Sequence, residues 1–328
     1  MTSRLGLPAF GYGAAALGNL FSPLDDETAA ATVDAAWNAG IRHFDVAPHY
    51  GLGLAERRIG AALAQRPRGE YVLSTKVGRL LRPSPETAGQ LDDMGFAVPA
   101  DVRRVWGLSE AGLRASLAES LERMGVAHVD VLYLHDPEEA VRPGRSIDDV
   151  LAEALPALAR MRDEGLVRAV GVGSKSVDAL AAAVRSQYID VVMVAGRYTL
   201  LEQPAAVDLL PQCLAHGVEV VAVGVYNSGA LAQARPQPDL FYEYGPMPDD
   251  VYRQVLRLAE ECEREGSDLP TAAVHFPLRH PAVSSVLVGA RTPEQLLENV
   301  ARFDRQVPDD VWVALQKRGL LTSTGANT

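Results

Sequence analysis

Four residues with proton chemistry stand at the ends of three strand-like segments. "HFDVAPHYG" (43–51) carries Asp45 inside an apolar run and Tyr50 in the turn beyond it, "LSTKVG" carries Lys76, and "LYLHD" carries His135. A phenol with an ordinary pKa of about 10 exchanges protons poorly near neutrality, and a neighbouring ammonium lowers that value by favouring the phenolate. Lys76 is suited to act on Tyr50 in this way, Asp45 to hold Lys76 charged, and His135 to orient a carbonyl oxygen or share its proton. Singly, each has a plainer reading as a cap, a helix start, a solvated lysine or a core histidine. Together they make a proton relay, provided the fold brings the three strand ends to one place.

The rest of the chain supplies that condition. Strand-like runs alternate with amphipathic helical ones: "HFDVAP" then "AERRIGAALA", "YVLSTKV" then "SEAGLRASLAESLERMG", "VDVLYLHD" then "IDDVLAEALPALARMRDEG". "VRAVGVGS", "VVMVAG", "EVVAVGVY" and "VSSVLVGA" continue the rhythm, each followed by a helical stretch. With "GYGAAAL" as the first strand there are eight strand-helix units and no Pro/Gly/Ser linker between halves. Continuous apolar strands alternating with helices indicate a covered parallel sheet, and eight units close into a barrel. The expected fold is therefore α/β, a single (β/α)8 TIM barrel over residues 1–328. In such a barrel chemistry sits at the C-terminal strand ends, where Asp45, Tyr50, Lys76 and His135 fall. Residues 78–107 are too long for an ordinary βα connection and are expected to be a functional loop; residues 322–328 read as a flexible tail.

The chain has 328 residues, is 48% hydrophobic and carries a formal net charge of −11. That charge, without a long basic run, argues against nucleic acid or an anionic membrane as a partner. Neither a signal-peptide pattern nor an apolar stretch of about 18 residues is present, and Cys213 and Cys262 lack disulfide-framework or zinc spacing, so a cytoplasmic protein with free thiols is expected. His43, Asp45 and His49 crowd one strand end as a hydrolase metal site would. No second histidine pair at another strand end completes the site, so no metal is expected.

The relay segments resemble the aldo-keto reductase family. "HFDVAPHYGLGLAERRIGAAL", "STKVG" and "LYLHD" are similar to its Asp/Tyr, Lys and His segments, and "VLVGARTPEQLLENV" to its C-terminal cofactor segment, a likeness running from about residue 9 to 303. The resemblance implies Tyr50 as general acid/base, supported by Asp45, Lys76 and His135. It also implies hydride transfer between a nicotinamide, NADP or NAD, and a carbonyl or alcohol carbon, without a Rossmann domain. A GxGxxA match at Gly11, Gly13 and Ala16 is a decoy, because its glycines lie within the strand instead of opening a helix.

On the cofactor side, Val288, Gly289 and Ala290 end the eighth strand, and Thr292 with Pro293 open a helix whose N-terminus suits a phosphate. Arg291 adds a charge, to pair with a 2′-phosphate or stack on the adenine. Gln295 and Asn299, four apart, share a face and are expected to reach the adenine. Two departures from the commoner pattern stand out: Gly173 and Ser174 replace a Ser-Asn pair, leaving Ser174 to hold the nicotinamide amide, and Val223 replaces a stacking aromatic.

"AGRYTLLEQ" and "VYNSGAL" resemble the branch containing L-fucose dehydrogenase, D-threo-aldose 1-dehydrogenase and pyridoxal 4-dehydrogenase. This implies oxidation of an aldose, or of a pyridoxal hemiacetal, to a lactone. His49, Trp106, Tyr226 and Asn227 are the expected substrate contacts. The alternatives are a broad NADPH-dependent aldehyde/ketone reductase, a metal-dependent barrel hydrolase and a non-catalytic NADPH-binding redox sensor.

Overall fold

In the computed structural model, which describes residues 3–322, eight parallel strands close into a barrel. These are β1 (Phe10–Gly13), β2 (His43–Asp45), β3 (Val72–Val77), β6 (Val131–His135), β7 (Ala169–Ser174), β8 (Val191–Ala195), β9 (Glu219–Val223) and β12 (Val283–Val288). Four further strands stand outside it as two hairpins, β4 (Arg79–Pro83) with β5 (Val102–Trp106) and β10 (Phe241–Tyr242) with β11 (Gly245–Pro246). The helices are α1 (Asp26–Asn38), α2 (Leu54–Leu63), α3 (Glu110–Met124), α4 (Ile147–Asp163) and α5 (Val177–Arg185). They continue with α6 (Leu209–His216), α7 (Asp249–Arg264), α8 (Leu269–His275), α9 (Pro293–Phe303) and α10 (Asp309–Lys317).

Local chemistry explains the boundaries. Ser109 caps α3 by accepting from the Gly112 N–H, and Gly125 ends it in the left-handed conformation. Ser146 and Asp149 cap α4 reciprocally, and Asp25 caps α1. Along the strands side chains alternate between the barrel axis and the helical shell. Val72, Val131, Tyr133, Ala169, Val191, Met193, Val221 and Leu287 form one buried cluster within the barrel. A far larger cluster binds the strands' outer faces to the helices. Gly11 faces the crowded interior: a Cβ there would meet the His43 carbonyl oxygen at 2.6 Å.

Three expectations change. The first strand stops at Gly13, and Ala14–Gly18 form a 3-10 helix, so "AAAL" is not strand. Residues 78–107 hold structure of their own: β4 and β5 pair with Arg79 opposite Trp106, and the intervening Phe96 and Val98 pack on Tyr50 and Leu52. The tail expected from residue 322 lies, from 323 onward, outside the described residues. Cys213 and Cys262 are buried and free, and among the described residues no helix is long and apolar enough to cross a membrane.

Candidate active site

The relay residues come from three adjacent barrel strands. β2 pairs with β3 and β3 with β6, which sets Asp45, Lys76 and His135 at one end of the barrel. Lys76 Nζ donates to Asp45 Oδ2 at 2.6 Å and to the Val46 carbonyl at 3.1 Å, while Ser74 Oγ donates to Asp45 Oδ1 at 2.7 Å. Both charged side chains are buried, 2% and 4% exposed. Lys76 Nζ lies 4.8 Å from the centroid of the Tyr50 ring, and the His135 ring meets Tyr50 edge-on at 5.8 Å.

Tyr50 is positioned by backbone. Gly18 and Gly51 touch so closely that a Cβ on Gly51 would lie 2.2 Å from the Gly18 carbonyl oxygen, and one on Gly18 2.6 Å from the Tyr50 carbonyl carbon. Gly51 also has φ 60°, which a side chain would resist. The long hairpin covers the other side. Phe96 lies 6.1 Å from Tyr50 and 5.3 Å from His49, and Arg104, paired with Asp92, donates to the His49 carbonyl at 2.9 Å.

The electrostatics depart from the simplest expectation at Tyr50. Burial pushes its phenol up to about 12, although the charge of Lys76 and a hydrogen bond from it pull downward, so the ammonium offsets desolvation without overcoming it. Burial also works against the Lys76 ammonium, but Asp45 and Tyr50 hold its pKa above the ordinary value. His135 is kept neutral by burial and by Arg79 and Lys76. Burial, with Arg79, Arg104 and Lys76 nearby, pushes His49 down to about 2.

The expected substrate contacts do not form one wall. His49 sits beside the relay, 5.4 Å from the His135 ring. Trp106 lies under the Arg79 guanidinium, 5.0 Å away, instead of lining an open mouth. Tyr226 belongs to the cofactor side, where its hydroxyl donates to Asn299 Oδ1 at 3.1 Å. Asn227 is buried, with Nδ2 donating to the Gly196 carbonyl at 3.4 Å. The metal reading finds no geometry: His43 Nδ1 contacts Ser285 Oγ at 3.2 Å while His49 turns to Arg79.

The cofactor segment is also more self-contained than expected. Thr292 caps α9, Gln295 Oε1 accepts from the Arg291 N–H, and Gln295 is exposed while Asn299 is buried. Asn299 bridges Gly289, Tyr226 and Arg302, so the two amides do not present a common open face. The Arg291 guanidinium donates to the carbonyls of Leu20, Ser22 and Pro23 instead of projecting free. Val288 is buried, and the Ala290 carbonyl accepts from Tyr12 Oη at 2.9 Å. Ser174 Oγ donates to Glu138 Oε1 at 2.5 Å and accepts from the Ser176 N–H.

This end nevertheless fits a nicotinamide dinucleotide. Ser174, Ala195 and Val223 end three neighbouring strands, with Gly173 just before Ser174, so no large side chain fills this end. Glu138 Oε2 and Asn227 Oδ1 are buried acceptors with no partner among the described residues, suited to an incoming N–H or O–H. The N-terminus of α9, capped by Thr292 and led by Pro293, carries the positive end of the helix dipole, which suits a phosphate.

Sequence reasoning missed Arg79 and Asp136. Arg79 is 4% exposed and pairs with Asp136 at 2.7 Å and with Glu139 at 2.9 Å. Asp136 Oδ2 lies 3.4 Å from His135 Nε2. Burial pushes its carboxyl up to about 7, with Glu138 and Glu139 adding and Arg79 and Lys76 opposing. The available signal was its place, directly after the strand-end histidine.

The sequence profile of the aldo/keto reductase family matches residues 9–318. The chain is 50% identical over 319 residues to D-threo-aldose 1-dehydrogenase from a Pseudomonas species, covering 97% of this chain and 95% of the relative. It is 35% identical over 333 residues to pyridoxal 4-dehydrogenase from Microbacterium luteolum, covering 97% and 96%. Among solved structures, the holo form of aldo-keto reductase AKR11C1 from Bacillus halodurans superposes with a TM-score of 0.77 at 25% identity, covering 99% of this chain and 95% of that one.

Proposed function

The chain belongs to the aldo/keto reductase family, and on that premise we propose that it oxidises the anomeric hydroxyl of a cyclic aldose to a lactone, with pyridoxal hemiacetal as a second substrate class. It is an NAD(P)-dependent oxidoreductase. The observation that carries the reading is the buried Lys76–Asp45 pair held against Tyr50, with neutral His135 on the other edge of the phenol. The two dehydrogenase relatives support the substrate class.

In this reading Tyr50 Oη takes the proton of the anomeric hydroxyl as C1 loses hydride. When bound, the oxidised nicotinamide supplies the hydride acceptor and one more positive charge near the phenol. Lys76 stabilises the phenolate, Asp45 keeps Lys76 charged and in place, and His135 donates to the reacting oxygen. Ser174 with Glu138 would hold the nicotinamide end, and the segment Val288–Arg291 with Gln295 and Asn299 the adenosine and phosphate end. Arg291 is already engaged by three carbonyls, which favours NAD over NADP, since it offers no uncommitted cation to a 2′-phosphate. The two free buried thiols accord with a cytoplasmic setting.

The test follows reduced-nicotinamide absorbance with NAD+ or NADP+ and L-fucose, D-arabinose, L-galactose or pyridoxal, and with NADPH and an aromatic aldehyde. Oxidation of a sugar with NAD+ is expected. Aldehyde reduction alone would make the protein a general carbonyl reductase, and cofactor binding without any turnover would make it a sensor.

A further inference from the structure

Asp136 lies in the left-handed region, with φ 43° and ψ 59°, immediately after the strand that delivers His135. Such conformations persist where the surroundings over-determine them, and they gather at functional sites. Here the Asp136 N–H donates to the Gly173 carbonyl at 2.9 Å, and the side chain meets Arg79. This buried guanidinium donates from one terminal nitrogen to Asp136 Oδ2 at 2.7 Å and directs the other at His49 Nδ1 at 3.5 Å. Arg79 is in turn held between Glu139 and the face of Trp106, and β4 anchors it to the barrel mouth.

This arrangement fixes the free hydrogen-bonding groups. A guanidinium can only donate, so His49 Nδ1 must accept, which places the proton of the neutral imidazole on Nε2. Among the described residues neither His49 Nε2 nor Asp136 Oδ1 has a hydrogen-bond partner, and the Asp136 side chain keeps 22% of its surface exposed. One arginine therefore engages both residues, and both lie next to His135, the His49 ring 5.4 Å from its ring and Asp136 Oδ2 3.4 Å from its Nε2.

A single group that accepts one hydrogen bond and donates another is a hydroxyl. We propose that Asp136, positioned by Arg79 and acting with His49, binds the hydroxyl on the carbon next to the reacting one, and so determines specificity for 2-hydroxylated hemiacetals. An aldose carries that hydroxyl at C2, whereas the carbon next to the hemiacetal centre of pyridoxal is a ring carbon without one. A simple alcohol would leave Asp136 Oδ1 without a protein or substrate donor, which a site built for a hydroxyl penalises. This rests on the reading of the protein as an aldose dehydrogenase and narrows it.

The experiment compares an aldose oxidised by the wild type with its 2-deoxy counterpart, in the wild type and in Asp136→Asn. Asparagine tolerates the left-handed conformation, so the substitution removes the charge and leaves the turn. The wild type should prefer the 2-hydroxy sugar by about tenfold or more in kcat/KM, mainly through KM, and the variant should lose most of that preference. Loss of the preference supports the proposal; an unchanged preference in a variant that still binds cofactor overturns it. The wild type gives a second reading independent of any variant's folding, because indifference to 2-deoxygenation would also overturn it. If no aldose is oxidised at all, the underlying functional reading fails first and takes this one with it.

Discussion

At the ends of β2, β3 and β6 the reactive side chains meet one another, whereas beside α9 Arg291 and Gln295 meet backbone and Asn299 meets both backbone and side chains. Lys76 reaches Asp45 across a strand pair, and His135 and Tyr50 touch by their rings. By contrast Arg291 donates to three loop carbonyls, Gln295 accepts from a main-chain N–H, and Asn299 donates to the Gly289 carbonyl. The difference teaches how the two ends prepare for a ligand. The relay is assembled by strand register before anything binds, so it works through preorganised charge. The cofactor wing is built from loop and cap contacts, so its side chains act by holding main chain in place or by exchanging partners.

The strongest way to break this comparison is to remove the reacting oxygen. Tyr50→Phe should lower kcat by about a thousandfold while leaving cofactor affinity, read by fluorescence titration, unchanged. Retention of most of the turnover would move the proton chemistry elsewhere. The second is Asp45→Asn, which leaves the Lys76 ammonium without its buried counter-ion. Denaturant unfolding should show a loss of about 3–5 kcal/mol together with lost activity; a variant as stable as the parent would mean that the relay is not preorganised by this pair. The smallest effect sharpens the other side of the contrast. Arg291→Ala should weaken NAD+ and NADP+ about equally, by roughly tenfold, because it releases the 20–23 loop. A loss confined to NADP+ would make Arg291 a direct phosphate ligand.

What could be read in the sequence follows the same division. Asp45, Lys76 and His135 were legible because strand periodicity and barrel topology jointly fix which residues end at the mouth. The barrel was legible for the same reason, although the first strand gave way to a 3-10 helix at Ala14. The burial of Asn299 is not visible in its spacing to Gln295, because it depends on the buried stripe of α9 that Asn299 shares with Leu296. Arg79 and Asp136 were hidden because their pairing depends on the β4/β5 hairpin, visible beforehand only as an overlong segment. Tyr50's upward shift depends on how completely a loop covers it, which no local pattern encodes.

The contact of Gly18 with Gly51 has a consequence for how this active site can change. Because main chain lies directly on main chain there, neither position can gain a side chain without separating the two turns. The location of the phenol is thereby insulated from the composition of the surrounding wall. Phe96 and His49, which pack beside the phenol, can change while the reacting oxygen stays put, whereas one methyl group at Gly18 or Gly51 would displace it. Outside the relay of Asp45, Lys76 and His135, redesign around the tyrosine is thus constrained most by the two residues that carry no side chain.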